Sequence, residues 1–402
     1  MAKVMLIREP VTQTPARPDI HAFLELGFRP LYLAGCAWAA ISVALWVFMP
    51  QSLNMHMGAL AWHAHEMLWG FIATIAVGFL LTASATWTGI NPLKGAPLAV
   101  LALFWAIARL LYLFNEPILF LLAGTTETLF FLAAFIALWR VIGRTRNRRN
   151  YGLPWLALGL GIANVLYLYA AWHQDYAALM HYFNIGLIGM SMIALLVARR
   201  VIPFFAMRAI PALSLPMLTT LGQIQLGLAL LAIATGLVSL PRLTAILLAA
   251  TGLICLYQVI RWRPGAILNK PILWILYLGY AFLGLGLLIA GLWLAGWTPN
   301  ALSKTALPAH IIGMGGFAIL IIGMVTRTAL GHLGQPLKLD RSMIASYWLM
   351  ILAVMLRITA LWPGSLVPFL VYAAAVSWVL SLALYLWRFV PMLIRPRPNA
   401  MP

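Results

Sequence analysis

The chain has 402 residues, of which 64% are apolar and only 8% are charged. This composition excludes a soluble globular protein, because a surface facing water needs many more polar and charged side chains. The formal net charge of +18 would suggest nucleic-acid binding in a soluble protein, but here the basic residues stand at the ends of apolar segments. The sequence therefore predicts an all-α integral membrane protein with lipid, and no nucleic acid, as its surroundings.

Apolar runs long enough to cross a bilayer follow one another along the chain. The predicted membrane-spanning helices are 30–49, 57–82, 96–114, 117–140, 152–171, 179–199, 216–238, 242–260, 271–295, 306–328, 343–361 and 366–390. These twelve spans form one transmembrane domain, 30–390, between an N-terminal tail, 1–29, and a C-terminal tail, 391–402.

Lysine and arginine are distributed very unevenly among the predicted loops. With the N-terminus in the cytoplasm, the tails and the inward-facing loops hold 22 of the 26 basic residues. The outward loops hold only Arg242 and Lys304, while Arg109 and Arg357 fall inside spans. Because positively charged loops stay in the cytoplasm, this distribution predicts that both termini are cytoplasmic. The basic excess is then a signal of topology and lipid contact.

Four histidines fall at nearly one depth in this topology. His63 and His65 lie in the outer third of the second predicted helix, and His181 and His310 lie near the outer ends of the sixth and tenth. A single histidine near a membrane surface is more often hydrogen-bonded than a ligand. Convergence of four favours a metal or haem site near the periplasmic face, because neutral imidazole is a common ligand of haem iron, copper and zinc.

The spacing within the second helix separates its two histidines. At 100° per residue, His63 and His65 point about 200° apart, so they are predicted to serve two sites on opposite flanks unless the helix is distorted. Glu66 lies three residues after His63 and shares its face. It is interpreted as a hydrogen-bond acceptor behind a ligand or as a proton carrier, and the alternative is a hydrated carboxylate near the surface.

Three further charged residues lie inside predicted spans. Arg109 and Arg357 belong to the outer third of helices three and eleven, where they could pair with haem propionates or extend to the lipid headgroups. Glu127 lies near the middle of helix four, with no cation expected at its depth. A protonated, hydrogen-bonded carboxyl and a proton-path residue both remain open for Glu127.

Arg327 and His332 lie at the cytoplasmic end of the tenth helix, about 30 Å from His310 along the helix axis. His332 therefore cannot join the outer histidines. A second, cytoplasmic site and a simple helix-ending turn are the two interpretations, and the turn is favoured because Gly331 and Gly334 permit a tight reversal.

Four sequence blocks closely resemble the NnrS family of bacterial membrane proteins. They are FRPLYLAG (28–35), WHAHEMLWGF (62–71), GFLLTA (78–83) and RTALGH (327–332), and the similarity extends from the first helix to the last. The resemblance implies twelve spans in the bacterial inner membrane, bound haem and copper, and a role in cells exposed to nitric oxide, often beside denitrification. Because the chain has no CxxCH motif, the haem is expected to be haem b.

Histidines near the outer ends of helices two, six and ten also resemble the arrangement in the catalytic subunit of haem-copper oxidases. The seventh helix lacks a histidine pair, however, and the HxH motif stands on the second helix instead of the tenth. The analogy therefore concerns arrangement alone.

Three functions follow as hypotheses. The first is a haem-dependent oxidoreductase that binds and reduces nitric oxide, with electrons from a membrane quinol or a periplasmic donor and with Glu66 and Glu127 as proton carriers. The second is a protective protein that binds nitric oxide or metal without turnover. The third, a metal or small-molecule transporter, is disfavoured because transporters place their polar residues near the membrane midplane. The sequence does not distinguish the first two.

Overall fold

The computed structural model of this protein describes residues 17–297 and 306–397. The long helices in these ranges are α1 (Phe28–Phe48), α2 (Ala59–Thr88), α3 (Ala96–Leu111), α4 (Pro117–Arg144), α5 (Gly152–Trp172), α6 (Tyr176–Ala209), α7 (Thr219–Leu237), α8 (Pro241–Arg261), α9 (Pro271–Leu294), α10 (Ala306–His332), α11 (Arg341–Thr359) and α12 (Val367–Leu393). Short loops join consecutive helices, so neighbours in the chain pack side by side as antiparallel pairs.

Eleven of the described helices are long and apolar enough to cross a membrane, which makes this a multi-pass membrane protein. The remaining one, α3, is apolar but shorter than the predicted segment 96–114, because its regular structure ends at Leu111. At 1.5 Å per residue it is about 24 Å long, less than the roughly 30 Å of a hydrocarbon core. The structure thus supports eleven of the twelve predicted spans by length.

Helix α6 departs most from its predicted bounds, since it continues ten residues beyond the expected end at Arg199 and passes through Pro203. The arginines that marked the predicted end are accommodated inside the helix. Arg199 donates to the Thr219 carbonyl oxygen over 3.3 Å, and Arg200 donates to Oδ1 of Asn150 over 3.0 Å. With 34 residues, α6 is longer than a bilayer requires.

Helices α2 and α10 share an unusual feature, a π-helical segment within the span. In α2 the π-helix covers Glu66–Ala73, and in α10 it covers Ile311–Ala318. The two π segments pack against each other, and the Gly70 carbonyl oxygen in the first accepts a hydrogen bond from the Trp105 indole over 3.1 Å. Such segments are rare and often mark functional sites. Here each one begins directly after a histidine.

Glycines allow α8 and α9 to touch through their backbones. A β-carbon built on Gly252 would lie 2.5 Å from the Gly284 carbonyl oxygen and 2.6 Å from the Leu288 nitrogen. One built on Gly291 would meet the Ala245 carbonyl oxygen at 2.5 Å. Small residues at such contacts let membrane helices approach closely enough for van der Waals packing, which is a principal attraction between helices in lipid.

We expect Gly252→Ala to lower the stability of the folded protein, because the new methyl group would force α8 away from α9. Overpacking of this kind costs about 1–3 kcal/mol. Gly227→Ala in α7 is the matched control, since a β-carbon there meets nothing within 4 Å and alanine favours helix. Thermal aggregation of the detergent-solubilised proteins should place Gly252→Ala below wild type and Gly227→Ala at or above it. Equal midpoints for the two variants would contradict the close backbone contact.

Candidate functional site

A cavity of about 270 Å³ lies at the end of the bundle that is predicted to be periplasmic. His63 from α2 and His310 from α10 both line it, together with mostly apolar side chains of α1, α6 and α12. We call it the histidine cavity. The two histidines are distant in sequence, and the packing of the two π segments brings their helices together at this depth.

His63 presents a nitrogen without a partner. Its ring stacks on the indole of Trp46, with 5.0 Å between ring centroids and 11° between the planes. Its Nδ1 atom is buried and has no hydrogen-bond partner in the described part of the chain. A buried polar atom left unpaired is costly. The stacked ring with a free nitrogen is thus suited to hold a ligand.

His310 is oriented by its own helix. Its Nδ1 atom lies 2.7 Å from the Ala306 carbonyl oxygen, and because a carbonyl only accepts hydrogen bonds, Nδ1 must carry the proton. The other ring nitrogen, Nε2, then has a free lone pair. A hydrogen bond from one ring nitrogen to a carbonyl is the usual arrangement of a histidine that binds metal through the other.

Two methionines line the histidine cavity in matching positions, and the sequence analysis did not identify them. Met67 follows His63 by four residues, and Met314 follows His310 by four. Residues four apart lie on one helix face, so a repeated H-x₃-M pattern was a readable signal. Thioether sulfur is a soft donor that favours copper(I). The cavity therefore offers two imidazoles and two thioethers.

Arg357 of α11 also lines the histidine cavity. Its side chain is half-buried, and it forms no ion pair or hydrogen bond with any residue in the described ranges. A cation without a counter-charge at a mostly apolar site can bind an anionic group such as a carboxylate.

His65 belongs to different surroundings from His63. Its Nδ1 lies 2.9 Å from Oε1 of Glu66, and its Nε2 lies 3.0 Å from Oε2 of Glu127 and 2.9 Å from Oδ1 of Asn164. Both ring nitrogens are therefore within hydrogen-bond distance of side-chain oxygens. No nitrogen remains for a metal. The structure thus gives both nitrogens of His65 hydrogen-bond partners at the position where the sequence analysis expected a metal.

Arg109 completes this buried charge cluster. Its guanidinium binds Oε2 of Glu66 over 2.7 Å and also contacts Oε1 of Glu127. Trp38 donates to Glu66 as well, and Tyr112 donates to Glu127 over 3.0 Å. The two acidic side chains contact both the guanidinium and the imidazole, and all four of these side chains are at most 1% exposed.

The cluster gives three of these residues contacts that the sequence analysis did not expect. Arg109 is occupied by two carboxylates and is not available to a propionate. Glu127 has a cation at its depth after all, and Glu66 contacts His65 instead of standing behind His63. The charge cluster and the histidine cavity lie on different flanks of α2.

His181 does not reach the histidine cavity. It lines a second cavity of about 500 Å³ on another face of α6. Tyr176, Met180 and Leu187 contribute to the walls of both cavities. The expectation of four converging histidines is therefore replaced by a pair, His63 and His310, with His181 in a neighbouring space and His65 in the charge cluster.

Arg327 and His332 lie at the opposite end of the bundle, where the structure shows a helix-ending turn. Helix α10 ends at His332, Gly334 adopts a positive φ of 68°, and Gln335 donates its backbone N–H to the Leu330 carbonyl oxygen over 2.9 Å. The His332 ring packs 5.4 Å from that of Phe28, and the Arg327 guanidinium stacks 3.7 Å above another phenylalanine ring. The FRPLYLAG and RTALGH blocks thus pack together.

Within residues 17–297 and 306–397, no group of three or more His, Cys, Asp or Glu side chains is arranged to hold a metal ion. In the histidine cavity, methionine sulfur or the nitrogens of a porphyrin can add to the two imidazoles as metal ligands.

A search of curated proteins finds no match to this chain. The model of the family described as NnrS protein matches residues 22–397, which is nearly the whole chain. The protein therefore belongs to the NnrS family.

Proposed function

We propose that this protein is an inner-membrane haem or copper protein of the nitric oxide response that binds nitric oxide at a metal held by His63 and His310. Family membership supports the role in the nitric oxide response. The observation that carries the metal site is the meeting of two imidazoles with free nitrogens in one cavity. Their helices both change to π-helix within three residues of the histidine, as is frequent at functional sites.

The residues of the histidine cavity fit both cofactors implied by the family. A haem supplies four porphyrin nitrogens and needs only one or two protein ligands, which agrees with two histidines, mostly apolar walls and an unpaired Arg357 for a propionate. Copper(I) would be held by the same imidazoles together with the Met67 and Met314 sulfurs. Metal analysis of the purified protein decides between the two.

The protein's own residues have distinct roles in this proposal. A reduced haem iron held by one of the two histidines, or a copper held by both, would supply a coordination position for nitric oxide. The Ala306 carbonyl fixes the proton of His310 on Nδ1 and so keeps Nε2 free for ligation. Stacking on Trp46 fixes the plane of His63, and the apolar walls keep most water away from the bound gas.

Reduction of nitric oxide is the second candidate function, favoured by the position of the charge cluster. His65 and Glu66 of that cluster lie within three residues of His63 in α2. Joining two molecules of nitric oxide to form nitrous oxide and water consumes two protons and two electrons. Glu66 and Glu127 are the proposed proton carriers, and a membrane quinol or a periplasmic protein is the proposed electron donor.

We also propose that both termini face the cytoplasm, which places the histidine cavity at the periplasmic side. The support is the sequence distribution of Lys and Arg, 22 of 26 on one side. A gas that diffuses from the periplasm or through the bilayer would then meet the cavity at its near end.

Anaerobic spectroscopy of the purified protein tests the proposal. We expect the reduced protein to show b-type haem bands or to contain about one copper per chain. Nitric oxide should shift the haem bands, or produce a nitrosyl signal in electron paramagnetic resonance. If cells supplied with ample haem precursor and copper yield a protein that contains neither haem nor copper, the proposed cofactor is refuted. If the protein contains haem or copper but its spectra do not change when nitric oxide is added, nitric oxide is not the ligand.

A further inference from the structure

The cavity that contains His181 has a composition of its own. It measures about 500 Å³ and lies between α6, α7, α8, α9 and the start of α10, at the same end of the bundle as the histidine cavity. Most of its wall is apolar, with His181 and Asn184 among the few polar side chains. We call it the His181 cavity. Its volume lies in the range of about 300–1,000 Å³ that is common for small-molecule sites.

His181 and Asn184 form a polar pair in the wall of this cavity. They stand three residues apart on one face of α6, and neither side chain makes a hydrogen bond to another described residue. Asn184 is exposed although it belongs to a membrane-spanning helix. An amide without a partner at membrane depth is costly. By contrast, Thr244 in the same wall is satisfied by Thr235 over 2.9 Å and by the Leu240 carbonyl.

The charge of the wall limits what the cavity can bind. None of the described residues that line it is Lys, Arg, Asp or Glu. A phosphate headgroup would find no counter-charge among these described side chains, so a phospholipid is disfavoured. A neutral ring with hydrogen-bonding oxygens and an apolar tail matches both the polar pair and the apolar walls.

We propose that the His181 cavity binds the headgroup of a lipid-soluble quinone or quinol, with His181 and Asn184 as the hydrogen-bond partners of its oxygens. Such a molecule reaches the site from the bilayer, because the helices that form the walls are membrane spans. The imidazole can donate to a quinone oxygen or accept from a quinol hydroxyl, and the amide can do the same.

The position of this cavity would allow the bound quinol to supply electrons to the histidine cavity. This electron-donor role rests on the proposed function. Tyr176, Met180 and Leu187 of α6 line both cavities, so one layer of side chains separates them. Oxidation of one quinol to quinone releases two electrons and two protons. Together they convert two molecules of nitric oxide to one of nitrous oxide and one of water.

Quinone binding by the whole protein in nanodiscs tests the site, with quenching of tryptophan fluorescence by a short-tailed ubiquinone or menaquinone analogue as the readout. We expect His181→Leu and Asn184→Leu each to weaken binding about tenfold, because each removes a hydrogen bond at a site of low polarity. His173→Leu is the matched control at the same end of the bundle, where that histidine contacts Tyr169. It should bind like wild type.

The two proposals fail in different ways. Binding is expected to persist in the His63→Ala protein, because the quinone site needs no metal. A wild-type protein that binds the quinone but contains neither haem nor copper would overturn only the electron-donor role. Affinities within twofold of wild type in both the His181→Leu and Asn184→Leu proteins would overturn the quinone site. So would displacement of the quinone by phosphatidylglycerol in the wild-type protein.

Discussion

His63→Ala and His310→Ala are each expected to yield a protein that inserts in the membrane but binds the haem or copper at least about tenfold more weakly. Absorbance and metal content per chain measure this loss. The reason is that each substitution removes a nitrogen from the histidine cavity, and the loss even of groups that merely orient a ligand typically costs 10–100-fold in metal affinity. Insertion should survive because the apolar spans themselves are unchanged.

His332→Ala is the matched control for this experiment, since His332 is a partly buried histidine at the other end of α10. It should retain the wild-type spectrum, and so should His181→Ala, because His181 lines a different cavity. If His332→Ala loses the cofactor while His310→Ala keeps it, the metal is not in the histidine cavity.

The second large effect is expected from Arg109→Leu. Removal of the guanidinium leaves Glu66 and Glu127 facing each other's charge with only His65 to balance them, in a region with no access to water. Breaking a buried ion pair costs about 3–5 kcal/mol, so the yield and the thermal midpoint in detergent should fall sharply. Arg388→Leu is the control, because its pair with Asp340 is 41% exposed on both sides and should cost at most about 1 kcal/mol.

A rescue variant separates charge balance from packing in the charge cluster. Adding Glu66→Gln and Glu127→Gln to Arg109→Leu removes the uncompensated carboxylates while keeping the shapes of the side chains, so part of the lost stability should return. A thermal midpoint for Arg109→Leu equal to that of Arg388→Leu would show that the cluster does not hold α2, α3 and α4 together.

The helices could be predicted from sequence because a segment that crosses the bilayer must be a long run of apolar residues. Such a run can be recognised without knowing which helices pack together. Their ends were less accessible. Arg199 and Arg200 looked like the limit of α6, yet Thr219 and Asn150, from other parts of the chain, supply acceptors for both arginines. No rule applied to the local sequence contains that information.

The candidate site was predicted in part, for a similar reason. The 200° spacing correctly indicated that His63 and His65 face different ways, but the partners of His65 come from α4 and α5. Counting residues also placed Arg109 and Glu127 at different depths, whereas the long arginine side chain bridges the difference. Met67 and Met314 were overlooked because thioethers look like ordinary core residues in an apolar helix.

The π segments of α2 and α10 make the length of the chain part of the site. Where backbone bonds run from residue i to i+5, the helix holds an additional residue relative to an α-helix, and each residue corresponds to about 100° of rotation. The π segment takes up this residue without turning the flanking segments, whereas a regular α-helix of the same residues would turn Ala59–His65 by about 100° against Thr74–Thr88. His63 would then leave the cavity although every liganding side chain is still present. Loss of the π segment would therefore disable the proposed site as surely as substitution of His63 itself.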